Sequence, residues 1–340
     1  MKILKWYAFC LTVFFIFFAY VFIPSFFFSG QDIDIPVYSK NSAREIAKKL
    51  KEKGVLHFSL PFRLVTKLTH ADRKLKAGLY RLNARMSLWQ VVNTLSEGKS
   101  ELLTLKVPEG FTLEQVAQEL EKMKVVSAAE FLKDASDKEF LKRLGIGGAV
   151  AEGFLFPETY RVPLGASSNE LMELMVRQFF DSVGTDFNRR CLARNLSPYQ
   201  AVIMASIVEK ESGLDAERPV VAGVLYNRLR KKMRLEVNAT LNYVLNTKNP
   251  WFTNAQIGIQ SPYNTYLHRG LPPTPICNPG LASIQAVLEP AEVSYLYYVA
   301  QGDGSNLFAE TFQEHSKNVK QAKRVLRVKK RQKTAAGSKP

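Results

Sequence analysis

The hydrophobic pattern divides the chain into three textures. From Trp6 to Phe28 it reads WYAFCLTVFFIFFAYVFIPSFFF, 23 residues without a charge. At about 1.5 Å per residue this would cross a hydrocarbon core of roughly 30 Å, so a transmembrane helix is predicted over 6–28, kinked near its outer end by Pro24. Lys2 and Lys5 precede the run and Asp32 and Asp34 follow it. That asymmetry predicts a cytoplasmic tail of residues 1–5 and export of everything after residue 30. A cleaved signal peptide fits less well, because the run is long and ends in bulky Phe instead of small residues.

Next comes a repeated unit of short strand, turn and helix. Ser42-Ala-Arg-Glu45-Ile-Ala-Lys-Lys-Leu50 parallels Thr112-Leu-Glu-Gln115-Val-Ala-Gln-Glu-Leu120. Each opens with a hydroxyl residue three places before Glu or Gln, the capping-box signature of a helix start. Apolar residues then recur at helical spacing: Ile46, Ala47 and Leu50, or Val116, Ala117 and Leu120. The strand-like stretches Ile33–Tyr38 and Leu103–Val107 precede these helices, and Gly78–Arg81 precedes a third, capped by Ser87 and Gln90. The unit resembles the LysM-type modules that grip N-acetylglucosamine glycans, although a generic α+β packing unit would look the same. These features predict a LysM-like small α+β domain over 30–105 and a strand/helix connector over 106–150.

In the third texture, residues 151–316, apolar helices alternate with loops rich in Pro, Asn, Tyr and Gly, which suit polar ligands. The fold class expected is therefore α+β: N-terminal transmembrane helix, LysM-like domain, then a mixed helix/loop catalytic domain. The end, 317–340, is a basic tail with ten Lys or Arg between Lys317 and Lys339 and no acid. It accounts for much of the formal net charge of +16. Such a balance suits nucleic acid, anionic lipid or an acidic polymer, and an exported body without a nucleic-acid motif argues against the first. Cys191 and Cys277 could pair in an oxidising compartment but carry no spacing signature. The four scattered histidines suggest no metal site, and nothing points to a cofactor.

The most informative stretch is Ser197-Pro-Tyr-Gln-Ala-Val-Ile-Met-Ala-Ser-Ile-Val-Glu-Lys-Glu-Ser-Gly213. An N-cap Ser, Pro at the first helical position, Gln200 completing a capping box and a terminal Gly predict one helix of about fifteen residues. At 100° per residue Glu211 projects into its apolar arc, whereas Glu209 falls toward Ser206 and Lys210. Desolvation and the negative helix end would both raise the pKa of Glu211, the requirement for a proton donor near neutral pH. A structural acid bonded to backbone or Arg would occupy the same position.

Ile207-Val-Glu-Lys-Glu-Ser212 resembles the helix end of lytic transglycosylases. The whole chain except its tail resembles the MltG (YceG-like) endolytic murein transglycosylases. The likeness rests on Glu152-Gly-Phe-Leu-Phe-Pro-Glu-Thr-Tyr160, Ala205–Ser212, Val221–Leu229, Ser261-Pro-Tyr-Asn-Thr-Tyr266, Gly270–Pro273, Asn278-Pro-Gly280 and Tyr295–Val299. What it implies is cleavage between N-acetylmuramic acid and N-acetylglucosamine with 1,6-anhydro ends, terminating the growth of nascent strands. Glu211 would be the catalytic acid. Tyr263, Asn264 and Tyr266 would position the sugar, with Thr240, Tyr243 and Glu152 as further binding residues; loop packing is the plainer role for each of the first three. Peptidoglycan strands are the implied partner, cell-wall synthases a partner class the likeness admits, and nucleic acid is excluded. The implied location is the inner membrane, with the catalytic body periplasmic. One departure stands out: the family's Asp-Pro-Thr reads Asn238-Ala-Thr240 here. The rival readings are a hydrolytic muramidase, which needs a second carboxylate nearby, and a non-catalytic wall-binding scaffold.

Overall fold

The computed structural model describes residues 2–24, 30–38, 41–98, 100, 102–249 and 251–336. In chain order the elements are α1 (Lys2–Phe22), β1 (Ile33–Val37), α2 (Ala43–Glu52), α3 (Ser59–Leu68), β2 (Gly78–Leu82), α4 (Leu88–Glu97), β3 (Leu102–Lys106), α5 (Leu113–Lys122), α6 (Ala128–Asp134) and α7 (Lys138–Arg143). They continue as β4 (Thr159–Pro163), α8 (Ser168–Val183), α9 (Phe187–Ala193), α10 (Pro198–Glu211), α11 (Arg218–Arg230), α12 (Asn238–Leu245), α13 (Asn254–Ile257), α14 (Leu281–Leu288), β5 (Tyr297–Ala300), β6 (Asn306–Ala309) and α15 (Phe312–Ala336). The strands pair two by two, β1 with β2, β3 with β4 and β5 with β6. The class is α+β, with many helices and small sheets.

Two compact units emerge. The first holds Met1–Leu105, Gln118–Glu130 and Thr159–Leu171; the second holds Lys106–Ala117, Phe131–Glu158 and Met172–Pro340. In the first, β1 and β2 run antiparallel with Ile35 opposite Tyr80, and alternate side chains point into one core. Ile46, Leu50, Phe62, Leu88, Val91 and Leu95 from the helices close that core. The helix starts are local devices. Ser42 with Glu45, and Ser87 with Gln90, form both reciprocal bonds of a capping box. The Tyr80 hydroxyl, sunk in this core, donates to the carbonyl of Lys76 at 2.8 Å, and burial pushes its pKa up to about 12.

The N-terminal helix differs from expectation. Among the described residues no helix is long and apolar enough to cross a membrane, so the transmembrane helix expected over 6–28 is corrected. Pro24 is the physical reason. A proline disfavours helical backbone in the residue before it, and α1 stops at Phe22 instead of continuing through a kink. The charge-free part, Trp6–Phe22, is then roughly 25 Å long against the ~30 Å needed. Residues 25–28 of the expected span lie outside the described residues. The last turn of α1 also packs on its own unit. Val21 is buried, Tyr20 meets Phe58 at 6.4 Å between ring centroids, and Phe22 meets Trp89 at 5.6 Å.

The second unit is built around α10, with α9, α11, α12 and α14 packed against it. Phe154, Phe179 and Tyr199 fill one side, Phe154 and Tyr199 lying stacked at 5.9 Å. The β5–β6 hairpin packs against α15, and β5 also touches α11.

Candidate active site

Ser197 and Gln200 cap α10 reciprocally and Pro198 occupies its first turn. Every residue from Ala201 to Val208 is buried. The middle of the helix therefore has no solvated side: of the expected polar face around Ser206, Glu209 and Lys210, only Lys210 is exposed. Ser206 is fully buried, donating to Ile203 O at 2.7 Å and accepting from the Ile276 amide at 3.0 Å. The Glu209 carboxylate is buried too, 3.0 Å from the Arg218 guanidinium, and accepts from the Gly280 amide at 3.0 Å and the Ser283 hydroxyl at 2.8 Å.

Glu211, the last residue of α10, lines a cavity of about 940 Å³ that lies wholly within the second unit. The start of α5 contributes to its wall, with Glu152, Lys210, α12 and the segment to Trp251, Tyr266, the β5–β6 hairpin and the first turns of α15. The Glu211 Oε1 accepts the Ala239 amide at 2.8 Å, from the first turn of α12. Burial raises the pKa of Glu211, and that hydrogen bond works in the opposite direction. Tyr298 faces Glu211 closely enough to lower its proton affinity as well, yet its buried hydroxyl finds no partner at good hydrogen-bond geometry. Gly213 brings the hairpin this close. A Cβ there would stand 2.4 Å from the Gly304 carbonyl, so only glycine lets the hairpin turn cross the end of α10.

Asn238 and Tyr266 join Glu211 on the cavity wall, the Tyr266 hydroxyl donating to Asn238 Oδ1 at 2.6 Å. Burial first, and the nearby Glu211 second, push the Tyr266 phenol up to about 12. Glu236 is held by Arg228 at 3.1 Å, and Arg228 also donates to the carbonyls of Arg234, Leu235 and Leu296.

Glu152 is the second buried carboxyl of the cavity. Both its oxygens accept the Leu113 amide, at 2.9 and 3.0 Å, so it satisfies an orphan donor at the start of α5. The Tyr243 hydroxyl lies 3.4 Å away. Gly153 follows with φ +89°, its face closed by Pro275 and Val202, which fixes the chain where Glu152 enters. Desolvation outweighs these bonds and raises the pKa of Glu152 to about 8. The folded state then holds a proton that the unfolded chain releases near pH 4.5, so this carboxyl's contribution is complete below pH 4.5 and is lost as pH rises toward 8. Glu152→Gln should remove that slope. Thermal melts of variant and wild type are expected to diverge in the variant's favour from pH 5 to 8, by an upper bound on the order of 5 kcal/mol.

The other expected site residues lie differently. Asn264 is fully buried, its amide donating to the carbonyls of Ile257 and Ile259, both at 2.8 Å, which folds its own loop. Tyr263 bonds Thr274 at 2.7 Å and packs on Tyr243 at 5.2 Å, and neither Tyr263 nor Asn264 borders the cavity. Thr240 is buried against Val237 and Thr265. Tyr243, Tyr266 and Glu152 do line it. Sequence reasoning missed Lys210, Tyr298, Asn306 and His315 on the same wall. Lys210 and Tyr298 stood in quoted motifs without being singled out, and nothing local in sequence ties Tyr298 to Glu211. Cys191 and Cys277 are both free and buried, and no cluster able to hold a metal ion occurs among the described residues.

The YceG-like family matches residues 35–321. The chain belongs to the YceG-like family. An endolytic murein transglycosylase of Bacillus subtilis (strain 168) is 30% identical over 307 residues, covering 85% of this chain and 84% of that protein. A protein of the same name from Streptococcus pneumoniae (strain D39) is 28% identical over 323 residues, covering 86% of this chain but 58% of the longer pneumococcal protein. A crystal structure of a YceG-like protein from Listeria monocytogenes superposes with TM-score 0.58 at 31% identity, covering 85% of this chain and 99% of that one. The YceG-like match takes in the whole cavity wall as far as Val319 and leaves α1 outside.

Proposed function

We propose that this chain is a peptidoglycan lytic transglycosylase with Glu211 as its sole acid/base. The observation that carries the reading is the Glu211 carboxyl itself, raised in pKa by burial and set on the wall of a cavity large enough for several sugar rings. That arrangement suits the activity for which the relatives are named. Glu211 protonates the bridging oxygen between N-acetylmuramic acid and N-acetylglucosamine, and the C1–O bond breaks. The 6-hydroxyl of the same muramyl ring attacks C1, and its proton returns to the Glu211 carboxylate. A 1,6-anhydro end forms, no water is consumed, and the acid is regenerated.

The rival hydrolytic route needs a second carboxylate to activate water or attack the sugar. The neighbouring candidates are committed. Glu152 is tied to the Leu113 amide and Glu236 to Arg228. This favours transglycosylation over hydrolysis. Incubating the full-length protein with uncrosslinked glycan strands and reading the products by mass spectrometry is the direct test. Anhydro ends are expected, and a majority of reducing ends would overturn the assignment. Asn238→Asp restores the acid of the family's Asp-Pro-Thr and keeps an acceptor for the Tyr266 hydroxyl, so anhydro ends should remain the product; a shift to reducing ends would overturn the single-carboxylate reading.

The first unit, with its capped strand–turn–helix repeats, would act as the LysM-like grip on the glycan, and residues 151–316 as the catalytic domain. The substrate places this catalytic body outside the cytoplasmic membrane, in contact with the wall.

A further inference from the structure

α15 begins on the wall of the Glu211 cavity and leaves it as a basic helix. His315 and Val319 border the cavity, and the first turns of the helix pack on the β5–β6 hairpin. Ala322 is fully buried, and the Asn318 amide donates to the Phe308 carbonyl at 3.2 Å. These contacts fix which side of the helix faces the body. The helix then runs on to Ala336, about 26 Å beyond Val319 at 1.5 Å per residue. The YceG-like match stops at residue 321, so most of this extension lies past it.

Lys317, Lys320, Lys323 and Arg324 are exposed, and none forms an ion pair among the described residues. Lys323 instead lies 5.0 Å from the centroid of Trp251, a cavity-wall residue. At about 100° per residue these four positions fall on the side of the helix away from Ala322. Arg327, Lys330 and Arg331 repeat that side in the turns that follow. Together the basic positions cover an arc of about 140° and a length of about 21 Å. From Lys317 to the end of the chain there is no Asp or Glu.

Like charges three and four places apart on a helix repel, and this stretch holds no acid to relieve them. A partner of opposite charge would. The arc is one-sided, straight and fixed at its base, so a flat anionic surface can meet every basic position at once. Single-stranded nucleic acid would call for aromatic side chains among the basic ones, and none occurs after His315. Several Lys or Arg on one face of an amphipathic helix is the pattern that anionic lipid head groups select.

We propose that the basic face of α15 docks on the anionic head groups of a lipid bilayer, which fixes the catalytic unit to the bilayer surface by a contact separate from α1. The docking is electrostatic and independent of the glycan-cleaving reaction.

The test uses the full-length protein with vesicles of equal parts phosphatidylglycerol and phosphatidylcholine, and with vesicles of phosphatidylcholine alone. The apolar side chains exposed on α1 contribute to both, so the difference between the two reports charge. Sedimentation at low salt should show at least about tenfold tighter binding to the anionic vesicles, and the gap should close as salt rises. Replacing Lys320, Arg324, Arg327 and Arg331 together by Gln should remove most of that preference. The charge-preserving set Lys320→Arg, Arg324→Lys, Arg327→Lys and Arg331→Lys should keep it. Neither set alters a cavity-wall residue, so cleavage of soluble glycan strands should stay within about twofold of wild type. Equal binding of the wild type to both vesicles, or an undiminished preference in the Gln variant, overturns the docking. So does tighter binding to poly(glycerol phosphate) or single-stranded DNA than to anionic vesicles at matched phosphate, because the partner would then be a polymer. Should the Gln variant fold poorly, the charge-preserving set decides: loss of its anionic preference overturns the docking as well. Vesicle binding without cleavage would retain the docking and remove the reaction, and cleavage without anionic preference would do the reverse.

Discussion

Glu211→Gln should reduce glycan cleavage by at least ~10²- to 10⁴-fold, the usual contribution of a positioned general acid, and more if no other group can protonate the leaving oxygen. The amide keeps an oxygen for the Ala239 N–H, so the fold around α12 loses nothing. Stability should move the other way. Because burial raises the pKa of Glu211, the ionised form is disfavoured in the folded state, and its contribution falls as pH rises from the ordinary carboxylate range through the raised value. The neutral variant escapes that loss, so its melting temperature near neutral pH should equal or exceed the wild type's. The same shift sets the rate profile: kcat/KM is expected to fall on the alkaline side as Glu211 loses its proton. Product quantification and melting curves on one preparation separate the two effects. Loss of activity together with loss of melting temperature would mean that Glu211 is a structural acid and the catalytic assignment fails.

How much of this was legible in the sequence depends on the range of each interaction. The capping boxes at Ser42, Ser87 and Ser197 close within three residues, so the sequence carries both partners and the helix starts follow. The inward aim of Glu211 was legible from periodicity, because the helix end is set by Ser212 and Gly213. Glu209 was not. The period placed it on a polar side, but its partners Arg218 and Ser283 lie 9 and 74 residues further on, and packing by α9, α11, α12 and α14 buries α10 from Ala201 to Val208. In α1 the count of apolar residues overrode the conformational meaning of Pro24, and the run was read as one helix where the backbone ends it at Phe22. Asn264 misled for a different reason. An amide in an aromatic loop suits sugar binding, yet here its donors serve the carbonyls of its own loop, which no sequence pattern announces.

The position of Glu211 depends on a buried charge cluster two residues earlier in its helix, and breaking that cluster should be the largest single stability loss in the second unit. Arg218 stands at the start of α11 and is 7% exposed. It reaches Glu209 at 3.0 Å and Asp215 at 2.9 Å, and bonds Ser283 at the start of α14. Glu209 in turn accepts the Gly280 amide, so three helix ends meet on one carboxylate. Replacing a buried pair by apolar residues of similar volume is often neutral, whereas removing one partner strands a charge and costs about 3–5 kcal/mol. Arg218→Ala should therefore lower the melting temperature by roughly 10 °C. The double variant Arg218→Met with Glu209→Leu should recover most of that loss, because no charge is then left unpaired. The last turn of α10 would still lack its tether to α11 and α14. The double variant should thus regain stability but not full kcat, and that difference assigns the cluster to holding Glu211 in place. Full recovery of both would reduce it to a packing element.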